Sequence, residues 1–178
     1  MNDIDAVAGA AGQGAASAAG TGGAGTLPVP ATAAPPAAAS GTPGRLLTAT
    51  DRAALHAGFG RLARGDGLLV VLLCAAWCGA CREFRPTFER IAAAQPGATC
   101  LWLDVEDDSA LTDAIDVENF PTLAIYGQAG VLHHGVSVPH EAVVARLVQS
   151  LLGSRRTVPA EAGVVDLPAA LRAYVGIA

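Results

Sequence analysis

The sequence predicts an α/β fold with a central mixed β-sheet and helices on both of its faces. The continuous apolar run Leu68–Ala76 has the length of a strand and is typical of a strand buried on both faces, and Thr99–Asp104 is interpreted as another buried strand. Between these two strands and after them lie segments whose apolar residues recur at helical spacing. A predicted hairpin, Thr122–Tyr126 and Val131–His134 around a turn at 127–130, adds antiparallel strands to the sheet.

The first 44 residues differ in composition from the rest of the chain. Of these residues, 29 are Ala, Gly or Pro, the only charges are Asp3 and Asp5, and none is aromatic. Such a segment cannot bury enough surface to offset the entropy lost on ordering. We therefore predict a disordered tail over 1–44, a folded domain over 45–152 and a C-terminal extension over 153–178.

The domain is expected to begin with a short edge strand at Leu46 and Leu47. Thr50 is the predicted N-cap of the first helix, which ends near Gly65. After the first apolar run, a helix with Pro86 as its expected kink buries a set of apolar residues at helical spacing. That set is Phe84, Phe88 and Ile91.

The later helices follow from capping residues and apolar spacing. Asp107-Asp108-Ser109 can cap a short helix, and Pro139-His140-Glu141 opens the helix after the hairpin. In the extension, Asp166-Leu167-Pro168 is predicted to start a short amphipathic helix that carries Leu171 and Tyr174. The sequence does not decide whether this helix packs on the domain or binds a partner.

Two cysteines three residues apart, Cys78 and Cys81, stand between a buried strand and the helix that follows it. The free N–H groups and the dipole of a helix N-terminus stabilise negative charge on Cys78, and the thiolate is the reactive form of a cysteine. Cys81 lies one turn further on, where it can resolve a mixed disulfide. Trp77 shields one side of the pair, and Arg82 adds a positive charge. The spacing and its context favour redox chemistry.

Two other interpretations of the cysteine pair remain open. Two inert, buried cysteines are one of them. A zinc site is the other, but it needs a second pair of ligands, and none of the remaining candidates has a suitable spacing. Those candidates are Cys74, Cys100, His56, His133, His134 and His140. We expect no metal and no other cofactor.

Residues from about 45 to 152 resemble the thioredoxin family. The matching features are the Trp77–Cys81 motif, Pro86, Asp104 at the end of the next strand, Phe120-Pro121-Thr122, and the glycines Gly130 and Gly135. This resemblance implies the thioredoxin fold, with a cis peptide bond before Pro121 and with Pro121 facing the dithiol.

The resemblance also implies a mechanism and partners. Cys78 would attack a substrate disulfide as the nucleophile, and Cys81 would resolve the mixed disulfide. An extended substrate polypeptide would bind by backbone pairing in a groove. The groove residues would be Trp77, Gly79, Ala80, Phe120, Pro121, Gly135 and Val136. An NADPH-dependent thioredoxin reductase would return the dithiol to its reduced form.

Three positions depart from the family pattern. Leu72 stands where thioredoxins usually place a buried aspartate that helps to deprotonate the second cysteine. Cys100 stands where its lysine partner is usual, so the charge pair is lost as a unit, which avoids burying one charge alone. The residues between the two cysteines are Gly79 and Ala80 instead of Gly-Pro. Cys74 and Cys100 are expected to be packing residues, with a regulatory disulfide as the alternative.

Charge and hydropathy exclude several classes of protein. A net charge of −5 argues against a nucleic-acid binder, which needs a basic face. The longest apolar run, Leu68–Cys78, is far shorter than the ~20 residues that span a bilayer. The N-terminus is acidic where a secretion signal needs positive charge, so we expect a cytoplasmic protein. We also expect a monomer.

These observations lead to a cytoplasmic thiol–disulfide oxidoreductase that acts on protein disulfides in cell redox homeostasis. One alternative is a thioredoxin-fold chaperone or assembly factor whose dithiol is secondary, an interpretation favoured by the lost charge pair and the extra tails. A third interpretation is an exported protein that acts in disulfide formation or haem-protein maturation, and the acidic N-terminus argues against it.

Overall fold

The computed structural model describes residues 44–177, so all of the predicted tail except Gly44 lies outside the described residues. Within that range the chain forms four strands and five helices. In chain order they are α1 (Arg52–Arg64), β1 (Leu68–Cys74), α2 (Gly79–Ala94), β2 (Ala98–Asp104), α3 (Ser109–Thr112), β3 (Thr122–Gly127), β4 (Gly130–Val136), α4 (Glu141–Leu151) and α5 (Ala162–Val175).

The four strands form one mixed sheet in the order β2-β1-β3-β4. β1 and β2 are parallel, whereas β3 is antiparallel to both β1 and β4. The edge strand predicted at Leu46 and Leu47 is reduced to a single bridge, in which Leu47 pairs with Leu101 on β2. The predicted mixed sheet is confirmed, and β1 occupies one of its two central positions.

Successive residues of β1 point to opposite faces of the sheet, as they must in any strand. The side chains of Val70, Leu72 and Cys74 face α2 and α4, whereas those of Leu69, Val71 and Leu73 face α1, α3 and α5. We call the first side the thiol face. Its buried residues include Phe84, Phe88, Ile91, Val144, Val148 and all four cysteines, Cys74, Cys78, Cys81 and Cys100.

We call the second side the α5 face. Its buried residues include Leu55, Phe59, Leu62, Leu101, Leu103, Tyr126, Val164, Leu167 and Leu171. Helices therefore cover both faces of the sheet, which confirms the predicted α/β fold class.

The first helix starts one residue later than predicted and ends where predicted. Asp51, not Thr50, precedes α1, and its carboxylate accepts hydrogen bonds from the backbone N–H of Thr48 at 2.8 Å and from Arg45 at 2.5 Å. These bonds hold the pKa of Asp51 below its usual value. The helix ends at Gly65, whose φ of 78° lies in the left-handed region that favours glycine.

The helix predicted for the extension begins at Ala162, four residues before the predicted start at Asp166. Pro168 therefore lies inside the helix and cannot donate a hydrogen bond to the carbonyl of Val164. The buried hydroxyl of Tyr126 on β3 donates to that carbonyl at 2.8 Å instead. A tertiary contact thus satisfies the acceptor that the proline leaves free, so the helix can continue on the N-terminal side of Pro168.

Close packing of α5 depends on a glycine in its first turn. A Cβ atom at Gly163 would lie 1.8 Å from the carbonyl oxygen of Ala114, a distance that no side chain can tolerate. This contact lets α5 bury Val164, Leu167 and Leu171 in the α5 face. In the structure, therefore, α5 packs on the sheet; the division of the chain at residue 152 stays a prediction.

Candidate active site

The two cysteines of the motif occupy the turn between β1 and the start of α2. Cys78 is the N-cap residue of α2, and its sulfur accepts a hydrogen bond from the backbone N–H of Cys81 at 3.1 Å. The backbone N–H of Cys78 donates to the carbonyl of Ala75 at 3.0 Å, which closes the turn. All four cysteines are free thiols. The sequence places a sulfur where a helix N-terminus can stabilise its negative charge.

The two thiols differ in their access to solvent. Cys78 is 7% exposed, whereas Cys81 is completely buried, so a substrate disulfide can approach Cys78 alone. Burial, together with the hydrogen bond to Cys78, raises the pKa of Cys81 to about 11. Cys81 is therefore protonated at neutral pH. The arrangement provides an accessible first thiol and a second, protonated thiol buried behind it.

An aromatic pair joins the loop of Cys78 to the loop of Pro121. The ring of Trp77 is 63% exposed and meets the ring of Phe120 edge to face, with centroids 5.3 Å apart. The indole N–H of Trp77 donates to a carboxylate oxygen of Glu106 at 3.2 Å, which fixes the orientation of the ring. The peptide bond between Phe120 and Pro121 is cis.

The remaining groove positions lie at the start of α2 and at the end of β4. Gly79 and Ala80 are exposed in the first turn of α2. Gly135 and Val136 are the last two residues of β4 and not a loop after it, because the pairing of β4 with β3 extends to Val136 opposite Thr122. Next to this pair, Ser137 donates its N–H to the carbonyl of Pro121 at 2.8 Å.

Arg82 is hydrogen-bonded to the turn between β1 and α2. Its guanidinium donates to the carbonyl oxygen of Ala76 at 2.6 Å and lies at the exposed surface. The positive charge that we expected beside the cysteines is therefore committed to the backbone of the β1–α2 turn.

The two positions that depart from the family pattern are both buried in the thiol face. Leu72 is wholly buried and lies opposite Trp102 in the β1–β2 pairing, whereas Cys100 lies opposite Val70. Burial raises the pKa of Cys100 to about 12. Among the described residues no carboxylate, amine or imidazole side chain is buried, and the buried polar residues are Thr99, Thr112, Thr122 and Ser137. The site therefore lacks a buried acid–base group other than its thiols.

A direct disulfide between Cys74 and Cys100 does not fit the strand register. Cys74 pairs with Asp104, and Cys100 pairs with Val70, so the two cysteines are offset by four residues along parallel strands. At ~3.3 Å per residue this offset is about 13 Å, whereas a disulfide needs Cα atoms within ~7 Å. The regulatory disulfide considered from the sequence would need a large backbone movement.

The neighbour of the dithiol is Cys74, which sequence analysis assigned to packing. It is the last residue of β1, is wholly buried, and belongs with Cys78 and Cys81 to the buried cluster of the thiol face. Burial is the main cause that raises the pKa of Cys74 far above its usual value.

The described residues form neither a metal site nor a membrane-spanning helix. Between residues 44 and 177 no group of three or more His, Cys, Asp or Glu side chains is placed to hold a metal ion. His133 and His134 lie opposite Ile125 and Ala124, respectively, so their side chains point to opposite faces of β4. None of the helices in the described part of the chain is long and apolar enough to cross a bilayer.

Comparisons with known proteins agree with the geometry. Residues 57–149 match the family model described as Thioredoxin. Thioredoxin-2 of Saccharomyces cerevisiae is 38% identical over 65 residues, which cover 36% of this chain and 62% of that protein. Protein disulfide-isomerase A4 of Bos taurus is 32% identical over 77 residues, 41% of this chain and only 12% of that protein. The match therefore spans less than two thirds of both of these relatives.

A bacterial relative and a solved structure extend the comparison. Thioredoxin of Chlamydia muridarum is 28% identical over 83 residues, 47% of this chain and 81% of that protein. A mutant thioredoxin from Halobacterium salinarum is similar in fold, with a TM-score of 0.51 and 24% identity over 68% of this chain and all of that one. The family model covers more than half of the chain. The chain belongs to the thioredoxin family.

Proposed function

We propose that the protein is a thiol–disulfide oxidoreductase that reduces protein disulfides through a reversible Cys78–Cys81 disulfide. The observation that carries this proposal is the asymmetry of the dithiol. The sulfur of Cys78 caps α2, accepts the N–H of Cys81 at 3.1 Å and is the thiol that reaches the surface. The thiol of Cys81 is buried directly behind it.

The reaction then has two exchange steps. In the first, the Cys78 thiolate attacks one sulfur of the substrate disulfide, a mixed disulfide forms, and the other substrate sulfur leaves and takes up a proton. In the second, Cys81 loses its proton to solvent and attacks the sulfur of Cys78. The mixed disulfide breaks and the second substrate sulfur leaves. The substrate gains two electrons, and the dithiol loses two.

The residues around Cys78 would hold the substrate, with Trp77 exposed, Phe120 half-buried and Pro121 buried. Trp77, Phe120 and cis-Pro121 form one wall of the proposed groove, and Gly79 and Ala80 form its floor. The end of β4, at Gly135 and Val136, forms the opposite edge, where the backbone can pair with an extended polypeptide.

The catalytic cycle needs a source of electrons and a compartment that supplies them. As part of the proposal, an NADPH-dependent thioredoxin reductase reduces the Cys78–Cys81 disulfide. The protein then acts as an electron carrier in redox homeostasis of the cytoplasm, where thiols are kept reduced. Other protein disulfides are its substrates.

Insulin reduction tests this function. We expect the protein to accelerate insulin precipitation, with dithiothreitol or with NADPH and thioredoxin reductase as the reductant, and we expect Cys78→Ser to abolish the acceleration. Cys100→Ala is the matched control, because it removes another buried thiol of the same cluster away from the dithiol. The wild-type protein performing no better than Cys78→Ser with either reductant would refute the proposal.

A second candidate function is a chaperone or assembly factor, because Leu72 and Cys100 replace the acid–base pair that thioredoxins usually have. Trapping with Cys81→Ser separates the two candidates, since this variant cannot release a mixed disulfide. Covalent partners attached to Cys78 indicate an oxidoreductase, whereas only non-covalent partners indicate a binding module.

A further inference from the structure

A cavity lies beside the proposed substrate groove, at the end of the sheet where β3 begins and β4 ends. Its volume is about 240 Å³, far more than a water molecule needs, so a long side chain can enter it. Asn119, in the loop that leads to Pro121, lines one part of it, and Gly135 and Val136 at the end of β4 line another. The cavity and the groove therefore share the last residues of β4.

Three carboxylates line this cavity, those of Asp116, Glu118 and Glu161. All three residues are exposed, and among residues 44–177 no ion pair involves any of them. The residues that line the cavity include no lysine and no arginine. The cavity therefore has a negative charge that its own lining does not balance.

The third carboxylate, that of Glu161, reaches the cavity because of the route that the chain takes after α4. The chain returns to β4, where the N–H of Val158 donates to the carbonyl of Val131 at 2.8 Å. Glu161 follows, directly before α5, and its side chain makes no capping hydrogen bond with that helix. It also lies after the segment that matches the family model, so this carboxylate belongs to the extension of this chain.

A histidine in the same cavity has a ring nitrogen without a partner. The side chain of His134 is half-buried, and its Nε2 atom is shielded from solvent with no hydrogen-bond partner among the described residues. A buried polar atom of this kind is uncommon in folded proteins. Because an unprotonated imidazole nitrogen accepts hydrogen bonds, a cationic N–H group from a ligand supplies the missing donor.

A metal ion does not fit this lining. In the described part of the chain no three His, Cys, Asp or Glu side chains are placed to hold one ion. Carboxylates spread around a cavity of this size suit a longer cation, such as the ammonium or guanidinium group of a lysine or arginine side chain. An extended polypeptide that pairs with the end of β4 presents every second side chain to the same side, and can therefore place one of them in the cavity.

We propose that this cavity is a specificity site of the groove, which binds a lysine or arginine side chain that the substrate carries close to its disulfide. This inference rests on the proposed function and names the substrate class of the same site, disulfide proteins with a basic residue near the reactive cysteine. The exchange at Cys78 is unchanged, and the carboxylates contribute only to binding. Because they are exposed, salt should screen their attraction for the substrate.

Single-turnover reduction of disulfide peptides tests this specificity. The reduced protein is mixed with a short peptide that contains one intramolecular disulfide and, at one flanking position, either lysine or norleucine, which keeps the carbon chain without the charge. The lysine is moved through the flanking positions in turn. At the favoured position we expect the lysine peptide to react about fivefold faster than its norleucine counterpart at low salt. The difference should disappear at about 1 M salt, where the Debye length is ~3 Å.

Variants of the carboxylates locate the preference in the cavity. Asp116→Asn, Glu118→Gln and Glu161→Gln together should bring the ratio of the two rates close to one, and Glu161→Gln alone should lower it to about threefold. All three positions are exposed, so these variants should fold normally. Asp66→Asn is the matched control, because it removes one charge before the start of β1, at the opposite end of the sheet, and should keep the wild-type ratio.

The outcomes separate this inference from the proposed function. Equal rates for the lysine and norleucine peptides at every position would overturn the inference. So would a lysine preference that persists at high salt, that the triple variant keeps, or that Asp66→Asn loses to the same extent as Glu161→Gln. If the wild-type protein reduces none of the peptides, the proposed function itself fails, whereas reduction of all peptides at equal rates removes only the role of the cavity.

Discussion

The two faces of the sheet share the strand β1 but have different chemistry. Val70, Leu72 and Cys74 belong to the thiol face, and the residues between them belong to the α5 face. All four cysteines of the chain are buried on the thiol face. Among the described residues of the α5 face there is no cysteine, and its one buried phenol, Tyr126, is hydrogen-bonded to Val164.

This difference separates stability from reactivity within a small domain. The α5 face is a conventional apolar core, sealed by a helix that lies after the segment matched to the family model. The thiol face is also a buried, mainly apolar cluster, but it contains the four thiols, which can ionise and exchange. Perturbing one face should therefore change mainly stability, and perturbing the other should change mainly pH dependence and redox behaviour.

The largest expected effect comes from the α5 face. Leu171 is wholly buried there, and Leu171→Ala should lower the free energy of unfolding by about 2–5 kcal/mol. Val165→Ala on the same helix is the matched control, since Val165 is half exposed and its change should stay within about 0.5 kcal/mol. Urea denaturation measures both variants.

The same variants test whether the two faces are separable. The rate at which iodoacetamide alkylates Cys78 under native conditions should be equal in Leu171→Ala and wild type. An altered rate in the folded variant would contradict the separation, as would a loss of stability in Val165→Ala as large as that in Leu171→Ala.

A pH-dependent effect comes from the thiol face. Burial raises the pKa of Cys74, Cys81 and Cys100, whereas in the unfolded chain thiols ionise near pH ~8.5. Above that pH the unfolded state binds fewer protons than the folded state, so the stability of the reduced protein must fall as the pH rises. Each such thiol lowers the free energy of unfolding by up to ~1.4 kcal/mol per pH unit, until the pH reaches the pKa of that thiol in the folded protein.

Urea denaturation of the reduced protein between pH 8 and 10.5 measures this slope. Cys100→Ala should make the fall of stability with pH less steep by the contribution of one thiol, because the variant lacks one of the three groups with raised pKa. A stability that stays constant across this range would show that these thiols are not protected from ionisation in the folded protein.

The sequence predicted most of the fold from strong local patterns. The apolar runs located β1 and β2, and the Trp77–Cys81 motif located the dithiol between a strand and a helix. The misses occurred at the starts of two helices. The start of α5 depends on the distant hydroxyl of Tyr126, whereas Asp51, which precedes α1, is bonded to Thr48 only three residues away.

The prediction of the site succeeded and failed for the same reasons as the prediction of the fold. The spacing of Cys78 and Cys81 indicated which thiol would cap the helix, and the resemblance to the family indicated Pro121. The hydrogen bond from Arg82 to the carbonyl of Ala76 could not be predicted, because it depends on how the turn between β1 and α2 folds.

The central claim is that Cys78 and Cys81 form one reversible redox pair within the thiol face. Equilibration of the protein in glutathione buffers of graded potential, followed by acid quenching, alkylation and peptide mapping, tests it most directly. We predict a single two-electron transition that links Cys78 to Cys81, with Cys74 and Cys100 reduced throughout. A dithiol that stays reduced in every buffer, or a disulfide that joins any other pair of cysteines, would contradict the account.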